Sequence, residues 1–155
     1  MNFPILLLAA LVPMIIGFIW YNPKTVGNAW MKAAGLDEEK MKGANMLVIF
    51  GLAYFFSFLI ATVVQFMVIH QLSVFSILAN QPGIQDPTSE IGKFYADFML
   101  KYGNEFRTFK HGAFHGTICG IFFATPILGI SALFERRSAK YILIHSGYWI
   151  ITLAL

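Results

Sequence analysis

The stretch Met46–Ile69, with the sequence MLVIFGLAYFFSFLIATVVQFMVI, contains no charged side chain. Apolar runs of about 18 or more residues match the ~30 Å hydrocarbon thickness of a lipid bilayer. Three further apolar stretches carry almost no charge: Phe3–Trp20, Ala113–Phe134 and Ser138–Leu155. A water-soluble chain of 155 residues has no single core large enough to bury all four. The pattern therefore predicts an integral membrane protein.

The overall composition agrees with this prediction. Charged residues make up 12% of the chain, against about 25% in an average globular domain, and the mean hydropathy is +0.66. The net charge is +3, and the basic residues lie in the segments between the apolar runs. This distribution favours a role in membrane topology and lipid head-group contact over nucleic-acid binding. The length predicts one transmembrane domain over residues 1–155.

The predicted fold is all-α: an integral membrane four-helix bundle with an extramembrane amphipathic helix. The four transmembrane helices are expected at about 3–20, 46–79, 110–134 and 138–155. Pro13 and Pro126 should kink the first and third of them, because proline frees a backbone carbonyl one turn earlier. The second, if helical throughout, would be roughly 50 Å long at 1.5 Å per residue. Its second half is therefore expected to bend or to project from the bilayer.

The amphipathic helix is predicted over about 87–102, with Asp86 as its N-cap and Pro87 at its first position. Apolar residues recur there at three- and four-residue spacing, while charged residues occupy the other face. We expect the apolar face to lie on the membrane, or to dock on the bundle or on a partner. A shorter surface helix is predicted around Trp30 and ends at Gly35. Trp20, Tyr21 and Trp30 are the expected interface anchors.

The distribution of basic residues predicts the orientation. Four crossings place both termini on one side of the membrane, and residues 22–45 and 135–140 on the other. These two segments hold seven basic residues, against four in the long segment on the side of the termini. The excess of lysine and arginine favours a cytoplasmic location for the two segments that hold seven basic residues. Both termini are therefore predicted to be non-cytoplasmic.

Two stripes run along the start of the third helix. Gly112, Gly116 and Gly120 recur every four residues, a spacing that lets another helix backbone approach closely. His111, His115 and Cys119 have the same spacing. Neutral imidazole and thiolate are good ligands for zinc, copper and iron. Cys119 alone is more often a small packing residue than a ligand.

The predicted topology places a third histidine at the same depth in the membrane. His70 follows the second apolar run, and His111 begins the third, so both should lie near the outer surface with His115. Three imidazoles at one level predict a metal site, or axial ligands for haem. The alternative is that they hydrogen-bond water, a neighbouring helix or lipid head groups. Gln65 lies deeper and is a candidate for a polar pocket. His145 should lie far from this group and face another helix.

The chain lacks the sequence patterns of several other chemistries. The chain has no phosphate-binding loop of the Walker type and no dinucleotide-binding glycine pattern. No carboxylate lies within the four apolar runs, which argues against a proton- or cation-coupled transporter. No catalytic triad order is present. We therefore expect that the chain is not an enzyme.

Three groups of residues also support a family resemblance. They are GFIWYNP at 17–23 with AWMK at 29–32, then FKHGAFHG at 109–116, and finally ALFERRS at 132–138 with GYW at 147–149. In these the chain resembles the bacterial membrane family called domain of unknown function 1761, in the form found in Bacteroidetes-like bacteria. The resemblance implies a small four-helix membrane protein and supplies no activity.

The leading functional expectation is a non-catalytic accessory or scaffold subunit of a larger membrane assembly. The alternative is a metal- or haem-binding membrane protein that uses His70, His111 and His115. A weaker alternative is a small channel or transporter. The expected location is the bacterial inner membrane, and the expected partners are the lipid bilayer and either another protein or further copies of the chain. No nucleic-acid partner is expected.

Overall fold

The protein is described by a computed structural model that covers residues 2–155, apart from the side chains of residues 38 and 41. All regular structure in these residues is helical, as the all-α prediction requires. The helices are α1 (Phe3–Ala9), α2 (Val12–Trp20), α3 (Gly27–Ala34), α4 (Glu38–Met41), α5 (Met46–Val68), α6 (His70–Leu78), α7 (Glu90–Tyr102), α8 (Phe109–Cys119), α9 (Thr125–Phe134) and α10 (Ala139–Ala154). A π-helical turn, Gly120–Ala124, joins α8 to α9.

Three helical stretches are long and apolar enough to cross a membrane by length and composition. They are Phe3–Trp20, Met46–Val68 and Phe109–Phe134. The last helix, α10, has 16 residues and is shorter than these three. It packs against α2, α3, α8, the π turn and α9. Helix α10 therefore joins α2 and α3 to α8 and α9.

The first apolar stretch bends where Pro13 predicts a kink. Helix α1 ends at Ala9, and α2 begins at Val12 with Pro13 in its first turn. The Pro13 carbonyl in turn accepts a hydrogen bond of 2.8 Å from the Tyr148 hydroxyl of α10. The bend in the first stretch is thus tied to the last helix.

The second apolar stretch is not one helix over 46–79, as the sequence predicts, but two helices. The break lies at Ile69, whose backbone is extended (φ −96°, ψ 93°). Because no proline marks this position, the sequence pattern predicts a bend without locating it. The break makes His70 the first residue of α6.

The third apolar stretch carries its distortion just before Pro126. Proline has no N–H and cannot complete the regular helical ladder. The chain responds with a wider turn, in which the Thr125 backbone N–H donates to the Gly120 carbonyl. The Thr125 hydroxyl donates to the same carbonyl at 2.9 Å. The predicted proline kink is therefore a π turn, a distortion found mostly as single turns within α-helices.

Helix α7 begins later than predicted. Ser89 is its N-cap and accepts the Gly92 N–H at 2.9 Å. Asp86, the expected N-cap, instead accepts hydrogen bonds from the N–H and the hydroxyl of Thr88, at 2.8 and 2.7 Å. These bonds lower the pKa of Asp86 below its ordinary value, because they favour the charged carboxylate. The helix therefore starts at Glu90 rather than Pro87.

The apolar side of α7 docks on α6. Tyr95 stacks against Phe75, with 5.9 Å between the ring centroids. The Gln71 carboxamide nitrogen donates to the carbonyls of Tyr102 and Glu105, at 2.8 and 2.9 Å. Gln71 is buried, with 7% of its surface exposed. This side chain therefore fixes the end of α7 to the helix that carries His70.

Replacing Gln71 with leucine should release this end of α7. Two buried hydrogen bonds are lost and two carbonyls lose their donor, which costs about 1 kcal/mol or more for each bond. Hydrogen exchange measured by mass spectrometry should show faster exchange over 90–105. Gln81→Leu, at an exposed glutamine beyond the end of α6, is the matched control and should leave exchange over 90–105 unchanged. Equal exchange in both variants would contradict the assigned role of Gln71.

Candidate metal centre

The structure brings His70, His111 and His115 together, as the depth argument predicts. One ligand nitrogen from each of the three lies within 4.8 Å of the others. The Nε2 atoms of His70 and His111 are 2.9 Å apart, at hydrogen-bond distance. His70 comes from α6, while His111 and His115 lie one turn apart on α8. Among the described residues, this is the group in which three histidine, cysteine or acidic side chains lie close enough to one another to hold a metal ion.

The separations of the three rings are close to those around a shared ion. The ring centroids are separated by 5.0 Å (His70–His111), 5.1 Å (His70–His115) and 4.4 Å (His111–His115). Three imidazoles bound to one zinc ion at ~2.0–2.1 Å in tetrahedral directions place their nitrogens roughly 3.3 Å apart and their ring centroids about 5 Å apart. One nitrogen from each ring is therefore near the separation that a shared ion requires.

Local backbone structure fixes the position of each histidine. The break at Ile69 sets the start of α6 and so the position of His70. Thr108 is the N-cap of α8, and its hydroxyl accepts the His111 N–H at 3.2 Å. The cap fixes the first turn of α8, and the four-residue spacing then places His115 on the same face as His111.

Phe106 covers one side of the cluster. Its ring centroid lies 5.1 Å from that of His111 and 6.1 Å from that of His70. Its backbone has φ 61°, in the left-handed region that a bulky side chain rarely adopts. Sequence reasoning missed this residue, because a phenylalanine in a polar connection carries no pattern that indicates a positive φ. His70 is exposed, and the other two histidines are half-buried, so the cluster is open to the surface of the protein.

Two neighbours considered with the histidines lie outside the cluster. The Cys119 thiol is buried and donates to the Met67 sulfur at 3.9 Å, which makes it a packing residue. The Gln65 carboxamide donates to the Thr62 carbonyl of its own helix at 3.0 Å. Neither side chain is placed to complete the coordination of an ion held by the three histidines.

The glycine stripe serves the packing of α8 and the π turn against α10. A Cβ atom at Gly116 would overlap the carbonyl oxygen of Leu153, and one at Gly120 would lie 2.6 Å from the Ile150 Cα. Gly112 differs, because a Cβ there would meet only the Val68 side chain at 4.0 Å. A four-residue repeat advances by about 40° per step around a helix of 3.6 residues per turn. Gly112 therefore faces α5, with no described backbone atom of another helix within 4 Å of that Cβ, and its role in close helix packing stays a prediction.

The three expected interface anchors make contacts within the protein at the opposite end of α10. The Trp20 indole donates to the Ile144 carbonyl at 3.1 Å. The Tyr21 ring lies 5.0 Å from that of Trp30, measured between centroids. The Tyr21 hydroxyl is 2.9 Å from Nδ1 of His145. Burial, with a smaller contribution from Tyr148, raises the pKa of Tyr21 above its ordinary value, so the phenol stays protonated.

His145 therefore belongs to a second aromatic group, as its predicted depth implies. Its ring centroid is 4.3 Å from that of Tyr141 and 5.7 Å from that of Tyr21. These contacts join α10 to the segment that follows α2. His145 takes no part in the histidine cluster.

Comparison with known proteins supplies the family of the chain. No curated protein and no solved structure matches it significantly. A family model does match, over residues 5–155. That range includes all three motifs that carry the resemblance, and it includes all three clustered histidines. The chain therefore belongs to the family described as protein of unknown function DUF1761.

Proposed function

We propose that the chain is a multi-pass integral membrane protein with four crossings. Large apolar side chains along the three long stretches are exposed, among them Phe18 at 78%, Leu47 at 85% and Phe122 at 74%. Contiguous exposed apolar surface of this kind is unfavourable in water and is typical of a surface that contacts lipid. Helix α10 is the fourth crossing in this proposal, at roughly 24 Å for 16 residues. Bilayer thinning and its packing against the longer helices offset its short length.

The proposed orientation places the side with seven basic residues in the cytoplasm and both termini on the outer side of the bacterial inner membrane. The Arg137 guanidinium donates to the Ala34 carbonyl at 3.0 Å, which supports placing residues 22–45 and 135–140 at one end of the protein. The histidine cluster lies at the other end and would face outward. This arrangement follows the positive-inside rule.

Cysteine labelling tests this orientation. In a Cys119→Ser background, Asn104→Cys should react with a membrane-impermeant maleimide added to intact bacterial spheroplasts. Lys42→Cys should react only after the membrane is permeabilised, since both positions are exposed but lie at opposite ends. Labelling of residue 42 but not of residue 104 in intact spheroplasts would reverse the assigned orientation.

For the function, we propose that His70, His111 and His115 bind a late first-row transition metal ion such as Zn²⁺. The observation that supports this most is the convergence of three imidazole nitrogens within 4.8 Å. Imidazole suits zinc, copper and nickel, and affinity rises towards copper in this series. Three protein ligands leave one position open for water or an exchangeable ligand. The proposed role is one of binding rather than catalysis.

The geometry favours an ion over haem. Axial haem ligands lie on opposite faces of the macrocycle. Here the His70 and His111 rings meet edge to face, with their Nε2 atoms 2.9 Å apart, and no gap for a porphyrin separates them. Of the two alternatives, the structure therefore supports the ion.

Elemental analysis and a zinc titration test the proposal. Protein purified in mild detergent, stripped with chelator and dialysed, should take up one Zn²⁺ per chain, as measured by isothermal titration calorimetry. A variant with all three histidines replaced by alanine should take up none. Equal uptake by the two proteins would eliminate the site.

A role as an accessory subunit is a second proposal, supported by a separate surface. Leu100 on α7 is 89% exposed and Phe94 is 55% exposed, although α7 is not one of the stretches apolar enough to cross a membrane. Exposed apolar side chains outside the bilayer favour a protein contact. Native purification in mild detergent followed by mass spectrometry should recover a partner or a stable oligomer. Recovery of the chain as a lone monomer would contradict this role.

A further inference from the structure

Two cavities meet in the interior of the protein at Ser57. The smaller has a volume of about 300 Å³ and lies among α1, α2, α5, α8 and α10. The larger has a volume of about 700 Å³ and lies among α2, α3, α5 and α10. Both are lined by Pro13, Ser57, Ile60 and Trp149. These shared walls make the two cavities neighbours along one face of α5, and their sizes fall in the range of small-molecule sites.

Ser57 is a polar residue in the wall that the two cavities share, and it is 5% exposed. The Thr152 hydroxyl, in the wall of the smaller cavity, is buried without a hydrogen-bond partner among the described residues. A buried hydroxyl without a hydrogen bond is unfavourable. A buried water needs two to four polar partners, and the walls around Ser57 are almost entirely apolar. A bound molecule with an oxygen atom is therefore the better partner for the hydroxyls of this wall.

The rest of the lining defines the charge and shape of such a molecule. No charged side chain lines either cavity among the described residues. An ionised ligand would lose its hydration without compensation, so the ligand is neutral. Few other polar side chains line the cavities: Gln65 and Thr152 in the smaller, and Tyr21, Asn22 and Tyr148 in the larger.

The larger cavity has an approach from the surface that we assign to lipid. Phe18 and Phe50 line it, and they are 78% and 52% exposed. A ligand that is dissolved in the bilayer can therefore enter from the side without crossing water. Such a ligand combines an apolar chain with a small polar head, which matches an apolar site with few polar groups.

We propose that the joined cavities bind a neutral membrane amphiphile, whose carbonyl or hydroxyl oxygen hydrogen-bonds to Ser57 and whose apolar chain occupies the larger cavity. Long-chain quinones and diacylglycerols share this chemistry. The inference rests on the proposed insertion in the membrane and is independent of the metal centre. It is therefore tested on chelator-stripped protein, so that failure of the metal site leaves the result unaffected.

The test is ligand binding to purified protein, measured by native mass spectrometry with two probes. One probe is a decyl-substituted benzoquinone and the other is dioctanoylglycerol, and each is titrated separately. The variants are Ser57→Ala, which removes the hydroxyl, and Ser57→Leu, which fills the junction. Thr62→Val is the matched control, because its hydroxyl lies on the same helix and donates to the Phe58 carbonyl. Thr62 does not line either cavity.

The expected result is one bound molecule per chain for at least one probe, with the same affinity in the wild-type protein and in Thr62→Val. Ser57→Ala should weaken binding about threefold to tenfold, as the loss of one hydrogen bond predicts. Ser57→Leu should abolish it. The preferred probe identifies the source of the ligand. Binding of neither probe, or equal binding by Ser57→Ala and the wild-type protein, would overturn the proposal, and this comparison holds even if Ser57→Leu does not fold.

Discussion

Replacing Gly116 with alanine should destabilise the fold by about 2 to 3 kcal/mol, the upper part of the range for overpacking a tight contact. The added methyl group would overlap the Leu153 carbonyl oxygen and would lie 3.0 Å from the Ala154 Cα. Both are backbone atoms of α10, so no side-chain rotation relieves the overlap. The two helices must separate, and the contacts on both sides of Gly116 weaken with them.

Gly112→Ala is the matched control for this prediction. It makes the same chemical change one turn earlier on α8, where a Cβ would meet only the Val68 side chain at 4.0 Å. Alanine favours the helix over glycine by about 1 kcal/mol, so Gly112→Ala should be neutral or slightly stabilising. Unfolding in a denaturing-detergent titration measures both variants. Equal midpoints for the two would show that α8 and α10 do not approach as closely as described.

Replacing His111 with alanine should weaken zinc binding by at least about 100-fold. Loss of an outer-shell partner of a metal ligand costs 10- to 100-fold in affinity, and loss of a ligand itself exceeds that. His111 contacts both other members of the cluster, at 2.9 Å between Nε2 atoms for His70 and 4.4 Å between ring centroids for His115. Competition with a chromophoric chelator measures the change in affinity.

His145→Ala is the control for nonspecific binding to histidine. His145 lies in the second aromatic group, with Nδ1 2.9 Å from the Tyr21 hydroxyl. The substitution should leave zinc affinity unchanged while lowering thermal stability, because it removes that hydrogen bond. If the two alanine variants lose affinity equally, the zinc does not reside at the cluster.

The sequence predicted the elements of the fold through strong, local signals. Long uncharged runs marked the apolar helices, and the Ser138 and Asn45 side chains cap the helices that follow them. Counting residues at 1.5 Å each predicted that His70, His111 and His115 share one level. That count depends only on where the two runs end, and those ends are marked by polar residues.

The remaining features depend on how each helix is rotated about its own axis. Counting residues along the chain does not give that rotation. The four-residue spacing placed Cys119 in line with His111 and His115, and Gly112 in line with Gly116 and Gly120. Because such a repeat drifts around the helix axis, Cys119 and Gly112 each face a different neighbour from the other members. The break at Ile69 arises without proline or glycine, so no local residue type identifies it. Ser57 carries one of three hydroxyls in its apolar run, and its position between two cavities depends on the packing of six helices.

X-ray absorption spectroscopy tests the proposed metal centre most directly. It measures the coordination shell of zinc in purified protein loaded with one equivalent of Zn²⁺. We expect about three imidazole nitrogens at ~2.0–2.1 Å, with the outer-shell scattering typical of histidine rings, and one further light ligand. In His111→Ala that imidazole scattering should diminish. A shell of oxygen atoms alone, unchanged by the substitution, would contradict the assignment of His70, His111 and His115 as a metal centre.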